Sequence, residues 1–305
     1  MPKDSLIALG SNCIDEYYTV SDIPKQGEKS LARFIENKVG GMIGNAAAVY
    51  AAYGHPTTMY DFMNFDPSNQ LLIEDLKQAK VLTDKVAFDA AYPTSKCLIM
   101  LKDGERIIFV MDHTHVVHHL SVAQFEFLNE ASYLYTTLSD FIQVEDYAAV
   151  FTQAKQHGLK IIFDVERASI QPIADLSSLL DFADILFINE QSDDLLRERL
   201  GDYIQIYRQK ALIVLTQAER GSTIYEAHQT LKIEAYPVVP VDTTGAGDTY
   251  NVSFLHGLVS GWSLEACGRF ASAAASRSIL RLGARSGVCS EAEVLAFMQT
   301  TSNDK

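Results

Sequence analysis

None of the four cysteines, Cys13, Cys97, Cys267 and Cys289, stands in a C-x-x-C spacing, so neither a zinc site nor a redox motif is indicated. Free thiols in a reducing compartment are expected. Long apolar runs are missing too. No stretch approaches the ~20 apolar residues of a membrane helix. The first such run, Leu6 to Leu9, is too short for a signal peptide and leads straight into Gly10 and Asn12. Cations are in deficit: 25 Lys and Arg face 39 Asp and Glu, a net charge of -14. An acidic chain repels nucleic-acid phosphates and anionic membranes, so neither partner is expected. It does not exclude a nucleotide, because a few local amides and cations can hold phosphates. There is no internal repeat and no low-complexity tract, only a polar tail from Thr300. A soluble cytoplasmic protein is the expectation.

What is present is ordinary globular material: 305 residues, 48% hydrophobic and 21% charged. That length fits one large domain or two small ones. Short apolar runs alternate with amphipathic stretches. Leu6–Leu9, Ile161–Phe163, Ile185–Ile188 and Ala211–Leu215 read as buried strands. Val144–His157 and Gln191–Leu200 read as helices between them. This rhythm predicts an α/β fold with a mostly parallel sheet and helices on both faces. Two regions break it. Residues 14–39 are rich in Tyr, Phe and charges, around Pro24 and Gly27. Lys96–Met111 reads as a hairpin with its turn at Asp103-Gly104. A small second sheet follows from these. Val39–Tyr53 reads as a helix entered through Gly40 and Gly41, with Asn45 set beside Ala46, Ala47 and Ala48.

The most informative segment runs from Val241 to Thr249, V-D-T-T-G-A-G-D-T. Gly245 and Gly247 bracket Ala246 at a helix entrance, where backbone N–H groups and the helix dipole make an anion hole. Asp248 would stand in the first helical turn beside that hole. A carboxylate next to a phosphate nest can serve as the base that takes a proton from an attacking hydroxyl. The plainer alternative is a capped turn with an acidic first helical turn.

The run Asp242–Asp248 resembles the C-terminal signature of the PfkB, or ribokinase-like, family of carbohydrate kinases. Further segments resemble that family in order. Gly10–Asp15 is similar to its first strand and substrate-binding Asp, and Gly40–Ala46 to its Gly-Gly-x-x-x-Asn-Ala sugar segment. Thr216–Gly221 is similar to its nucleotide loop. Ser272–Ala275 with Arg281–Ala284 is similar to the elements near the adenine. The resemblance covers almost the whole chain. It implies one kinase unit over 1–305, a Rossmann-like three-layer core with a mostly parallel sheet, and a small β-sheet lid at about 14–39 and 95–112. It implies ATP-dependent phosphorylation of a sugar hydroxyl with Mg²⁺. Asp248 would be the base, with Gly245, Ala246 and Gly247 as the anion hole. Asp15, Gly41, Asn45 and Glu28 would contact the sugar. Asn189, Thr216, Gly221, Ser272 and Gly283 would contact the nucleotide. It also implies a homodimer joined through the lids.

The chain departs from the family pattern in places. The Asn-x-x-Glu motif appears as Asn189-Glu190-Gln191-Ser192, where Glu190 or Asp193 could stand in for the absent Glu. Ala218 replaces the first nucleotide-loop glycine, Ser272 replaces a frequent Asn, and Tyr60–Asp66 lacks the usual glycines. No residue is assigned to the metal, although Asp164 and Glu166 at a strand end are candidates to face phosphate-bound metal or polar loops. Asp112-His113-Thr114-His115 with His118-His119 invites a zinc reading, with His113 and His115 on one strand face. Without a nearby cysteine, solvated or substrate-edge histidines are expected. Two rival functions stay open. A nucleoside kinase of the same family would use an aromatic clamp, for which Phe34 or Tyr17 is available. A catalytically weak sugar sensor would fit Ser192 and Ala218.

Overall fold

The structure is a computed structural model that describes residues 3–302 except 104, 112 and 114. The chain opens with β1 (Leu6–Leu9), β2 (Cys13–Val20), β3 (Ala32–Gly40) and α1 (Met42–Ala52). It continues through β4 (Thr57–Tyr60), β5 (Phe62–Met63), α2 (Pro67–Gln78), β6 (Ala87–Phe88), β7 (Lys96–Lys102) and β8 (Glu105–Val110). Then come α3 (Val122–Leu128), β9 (Tyr133–Thr137), α4 (Leu138–Gln143), α5 (Tyr147–Gln156), β10 (Lys160–Val165), α6 (Arg167–Ile170) and α7 (Leu176–Leu180). The last part holds β11 (Ile185–Asn189), α8 (Glu190–Leu200), α9 (Tyr203–Tyr207), β12 (Leu212–Thr216), β13 (Ser222–Glu226) and β14 (Gln229–Ile233). Helices α10 (Ala246–Val259), α11 (Leu264–Ser278) and α12 (Glu291–Ser302) close it.

The main sheet has the order β14-β13-β12-β11-β10-β9-β1-β4. From β12 to β4 every pairing is parallel, while β13 and β14 add an antiparallel edge. Strands β1, β10, β11 and β12 are largely apolar on both faces because helices cover both. Alternate residues divide accordingly. Ile161, Phe163, Leu186 and Ile188 join the core beneath α4–α9. Ile162, Ile185 and Phe187 join the core beneath α1, α10 and α11. The chain runs from β1 to β4 on one side and later to β9 on the other. Such a reversal opens a crevice at the carboxyl ends of the strands, the usual ligand position in open α/β sheets.

A separate four-stranded sheet has the order β3-β2-β7-β8. Its central pair is parallel, with Asp15 opposite Cys97, and its flanking pairs are antiparallel. The helix expected from Val39 starts later. Val39 and Gly40 pair with Ile14 and Cys13 as the end of β3, and the chain turns into α1 only at Gly41 (φ 93°). The ladder to β2 outcompetes helix extension there. His113 and His115 share no strand face: β8 ends at Val110, since its partner β7 begins at Lys96, and both histidines lie in the loop beyond. Asp112, Thr114 and the turn residue Gly104 lie outside the described residues.

Gly221 has φ 87°, and a Cβ there would overlap the Ile233 carbonyl oxygen. Gly221→Ala should therefore lower stability by about 2–3 kcal/mol. Chemical denaturation of the two proteins is the check; an unchanged midpoint would contradict this account of the β12–β13 turn.

Candidate active site

The segment after β14 reaches α10 through Gly245, whose φ of 78° lies in the left-handed region. A Cβ on Gly245 would come within 2.8 Å of the Ala284 carbonyl, so only glycine fits. At Gly247 a Cβ would meet nothing within 4 Å. Packing does not require glycine there; its absent side chain leaves open space over the helix N-terminus. The first N–H groups of a helix have no partner within it and point outward with the positive end of the dipole. Asp242 shapes the approach. Its Oδ1 accepts from the Thr244 N–H (2.9 Å) and hydroxyl (2.6 Å), and its Oδ2 from the Gly283 N–H (2.9 Å). Arg106 reaches from β8 to Asp242 at 3.1 Å, and also touches the Thr243 and Thr244 hydroxyls. One carboxylate thus ties the signature loop to the 281–285 loop and to the small sheet.

Asp248 stands in the first turn of α10, 7% exposed. Its Oδ2 accepts from Asn45 Nδ2 on α1 at 2.8 Å. Asn45 Oδ1 in turn accepts from Arg285 Nε at 2.9 Å. The same guanidinium binds the Gly40 carbonyl (3.0 Å), the Asn12 amide oxygen and the Asp75 carboxylate. Gly44 makes room for it, since a Cβ there would overlap both Arg285 and Asn12. Burial pushes the Asp248 carboxyl up to about 7; Asp164 adds to this, while Asn45 and Arg285 pull it back. Asp164, at the end of β10, is pushed up by burial to about 6, and the Tyr135 hydroxyl that donates to it (2.6 Å) partly offsets this. Asn251 of α10 donates to that hydroxyl at 3.0 Å. Asp164 thus raises the proton affinity of Asp248, and Glu166 adds to that of both.

Asp15 is buried on β2. Burial raises its carboxyl, opposed by Cys13 and Arg285. Gly40 must lack a side chain, because a Cβ would overlap the Asp15 carboxylate. Gly41 lies against the Ser11 carbonyl and the Cys13 N–H, 2.7 and 2.9 Å from where a Cβ would stand. Beneath this turn Asp61 accepts from the Asn12 and Phe62 N–H groups at 3.0 and 2.7 Å. The β1–β2 turn, the end of β3 and the start of α1 therefore bring Asp15, Gly41 and Asn45 to one place. Glu28 is not brought there. It is exposed in the β2–β3 loop, where its carboxylate accepts from the Lys25 N–H at 3.0 Å.

Asn189 and Thr216 pair across the ends of β11 and β12. Asn189 caps α8 by accepting from the Ser192 N–H at 2.9 Å. Ser192 is fully buried. Neither acidic stand-in is free: Glu190 pairs with Arg220, and Asp193 is held by Arg197 (2.9 Å) and Tyr203 (2.7 Å). Ala218 keeps a left-handed φ of 49° although it carries a side chain. The Ser272 hydroxyl donates to the Glu234 carbonyl at 2.9 Å, and Gly283 (φ 99°) gives its N–H to Asp242. Arg106 and Arg285 escaped the reading of the sequence. A single cation carries no periodic signal, and both act on partners more than 130 and 200 residues away.

A doubly wound sheet, a lid-like second sheet and a carboxylate at a Gly-Ala-Gly helix entrance define a small-molecule kinase that uses ATP. Residues 3–291 match the model of the pfkB family carbohydrate kinases, and the chain belongs to that family. It is 26% identical over 292 residues to a ribokinase of Bacillus subtilis (95% of this chain, 98% of that protein). It is 25% identical over 285 residues to a nucleoside kinase of Methanothermobacter thermautotrophicus (89% and 88%). A solved structure of Arabidopsis thaliana ribokinase complexed with ribose and ATP superposes with a TM-score of 0.80 at 25% identity, covering 98% of this chain and 99% of that one.

The raised Asp248 carboxyl has a thermodynamic signature. Its folded value of about 7 lies above that of an unfolded carboxyl, so the folded state keeps a proton the unfolded chain has released. Its contribution to stability is complete below about pH 4 and is lost as pH rises through about 7. Asn at 248 stays neutral and still offers Asn45 an acceptor. Asp248→Asn should gain on the wild type between these limits and exceed it by roughly 1–4 kcal/mol at about pH 8. Denaturation of both proteins across pH is the measurement, and parallel curves would refute the shift.

Proposed function

We propose that the chain transfers the γ-phosphoryl group of ATP to a primary hydroxyl of a sugar, with Asp248 as the base. The observation that carries this reading is the buried Asp248 carboxyl, near neutrality in proton affinity, hydrogen-bonded to Asn45 at the Gly-Ala-Gly helix entrance. Asn45 Nδ2 orients the carboxylate, and a sugar hydroxyl beside it loses its proton to Asp248 as its oxygen attacks phosphorus in line. The N–H groups of Gly245, Ala246 and Gly247 meet the charge on the transferring phosphoryl; one such donor is typically worth ~2.7–4 kcal/mol of barrier. Asp164 and Glu166 would hold Mg²⁺, which neutralises phosphate charge when bound. Asp15, Gly41 and Asn45 take the sugar hydroxyls. Asn189, Thr216, Gly221, Ser272 and Gly283 frame the nucleotide side; Ser272 and Gly283 do so by holding neighbouring backbone and the Asp242 carboxylate in place. We treat 1–305 as one kinase unit with lid segments 14–39 and 95–112. Its cysteines, none in a disulfide, suit a reducing cytoplasm.

Sugar is favoured over nucleoside by the aromatic residues of the small sheet. Tyr17 shares a face with Asp15, and its ring carries Lys38 at 5.0 Å. Phe34 pairs instead with Tyr18 at 5.7 Å and is half exposed. Tyr17 and Phe34 thus do not face one another as a base clamp. ADP release across pentoses, hexoses, polyols and nucleosides tests the reading, and turnover on nucleosides alone would sink it. With a sugar that turns over, Asp248→Asn should lower kcat by about 10²–10⁴ with both KM values little changed. Asp15→Ala should raise the sugar KM about ten- to a hundredfold and spare the ATP KM. A mutant at 248 that keeps above about a tenth of kcat removes Asp248 as base.

We assign the outer strands of the small sheet to a homodimer contact. Phe34 and Ile35 on β3 and Ile107–Val110 on β8 are exposed on edge strands, which native proteins usually cover. Sedimentation at micromolar concentration should give a dimer; monomer alone would remove this contact.

A further inference from the structure

Three soft or hard donors meet on the sugar side of the site. Cys13 on β2 and Cys97 on β7 place their sulfurs 3.7 Å apart. Cys13 Sγ also lies 3.5 Å from Asp15 Oδ1. All three ligand atoms fall within 4.8 Å of one another. Zinc takes thiolate at about 2.3 Å and carboxylate at about 2.0–2.2 Å, so a tetrahedral site has S···S edges of about 3.8 Å and S···O edges of about 3.6 Å. The two measured edges match both without rearrangement. The strand register sets this up: Asp15 lies directly opposite Cys97, and Cys13 lies two residues back on the same face. Cys97 is partly exposed, which gives an ion a way in, while Cys13 and Asp15 are buried.

We propose that Cys13, Asp15 and Cys97 form a site for a thiophilic divalent cation such as Zn²⁺, and that its occupancy excludes the sugar. Binding releases two thiol protons to solvent and involves no redox change. The two thiolates, the carboxylate and the dication sum to one negative charge, and Arg285, which acts on Asp15, offsets it. Three protein ligands leave a fourth position for water. The metal draws the Asp15 carboxylate, through one of its oxygens, away from hydroxyl donors, which is why it competes with the sugar; this second half rests on the reading of Asp15 given above. The hard dication that accompanies ATP would not be drawn to two sulfurs, so the two metals separate by chemistry.

The test uses the whole reduced chain and Cd²⁺, whose thiolate complexes absorb in the ultraviolet. One equivalent should generate the charge-transfer band and Zn²⁺ should displace it. Cys97→Ser should abolish the band or weaken affinity by about tenfold or more, whereas Cys289→Ser should leave it intact. No band in the wild type, or an equal band in Cys97→Ser, overturns the site. In the kinetic arm, Zn²⁺ should raise the KM of the sugar that turns over by about tenfold or more in the wild type. The ATP KM should hardly move, and Cys97→Ser should keep turnover while losing the inhibition. Bound metal with an unchanged sugar KM overturns the exclusion. If no sugar turns over, the sugar reading and the exclusion fall together, and the Cd²⁺ band alone decides the metal site.

Discussion

A single guanidinium sets the geometry on which the site depends. Arg285 is 10% exposed and spans the Asp75 carboxylate, the Asn12 and Asn45 amide oxygens and the Gly40 carbonyl. A cation that far from water is tolerable only when its donors are satisfied, and here the partners come from four separate segments. By accepting from Arg285, the Asn45 oxygen turns its amide nitrogen toward Asp248. The amide is thereby fixed in the one orientation that supports a carboxylate in the first turn of α10. Arg285 also anchors the end of β3 and the Asn12 turn, which carry Gly41 and lead into Asp15. Position and charge at the proposed reaction centre thus rest on the same side chain.

Burial works against this arrangement, and that is part of its chemistry. Asp248, Asp164 and Asp61 all have their proton affinity raised by desolvation, Asp61 and Asp248 to about 7 and Asp164 to about 6. Asp61 recovers some of that through two backbone N–H groups. Asp248 has the Asn45 amide and a more distant guanidinium. It is left with the affinity near neutrality that its proposed role as base calls for.

Much of this was legible along the chain. The apolar runs at 6–9, 161–163 and 185–188 became central strands because each is flanked by turns and too short for a helix. The Gly245-Ala246-Gly247-Asp248 run marked a helix entrance, where Gly245 takes a left-handed φ that only glycine fits. Asn45 stood out as an amide among alanines. Other features left no local trace. β9, in the middle of the sheet, reads Tyr-Leu-Tyr-Thr-Thr, and its polar atoms are absorbed by partners such as Asp164. The helix at 39–53 looked continuous because ladder pairing of Val39 and Gly40 depends on β2. Glu28 follows a turn that resembles a substrate loop but closes on Lys25. The Cys13–Cys97 neighbourhood spans 84 positions and exists only through a parallel pairing.

The Asp242 carboxylate has a consequence for energetics between distant ligands. It holds the phosphate-side loop through Thr244 and Gly283, and the second sheet through Arg106. On the proposed reading, a movement of that sheet over a bound acceptor that breaks the Arg106–Asp242 contact also reaches the loop beside the donor. Thermodynamic reciprocity then requires each ligand to alter the other's affinity by the same factor. One acidic side chain joins the two halves of the proposed cleft, so any coupling it carries between donor and acceptor is felt equally by both affinities.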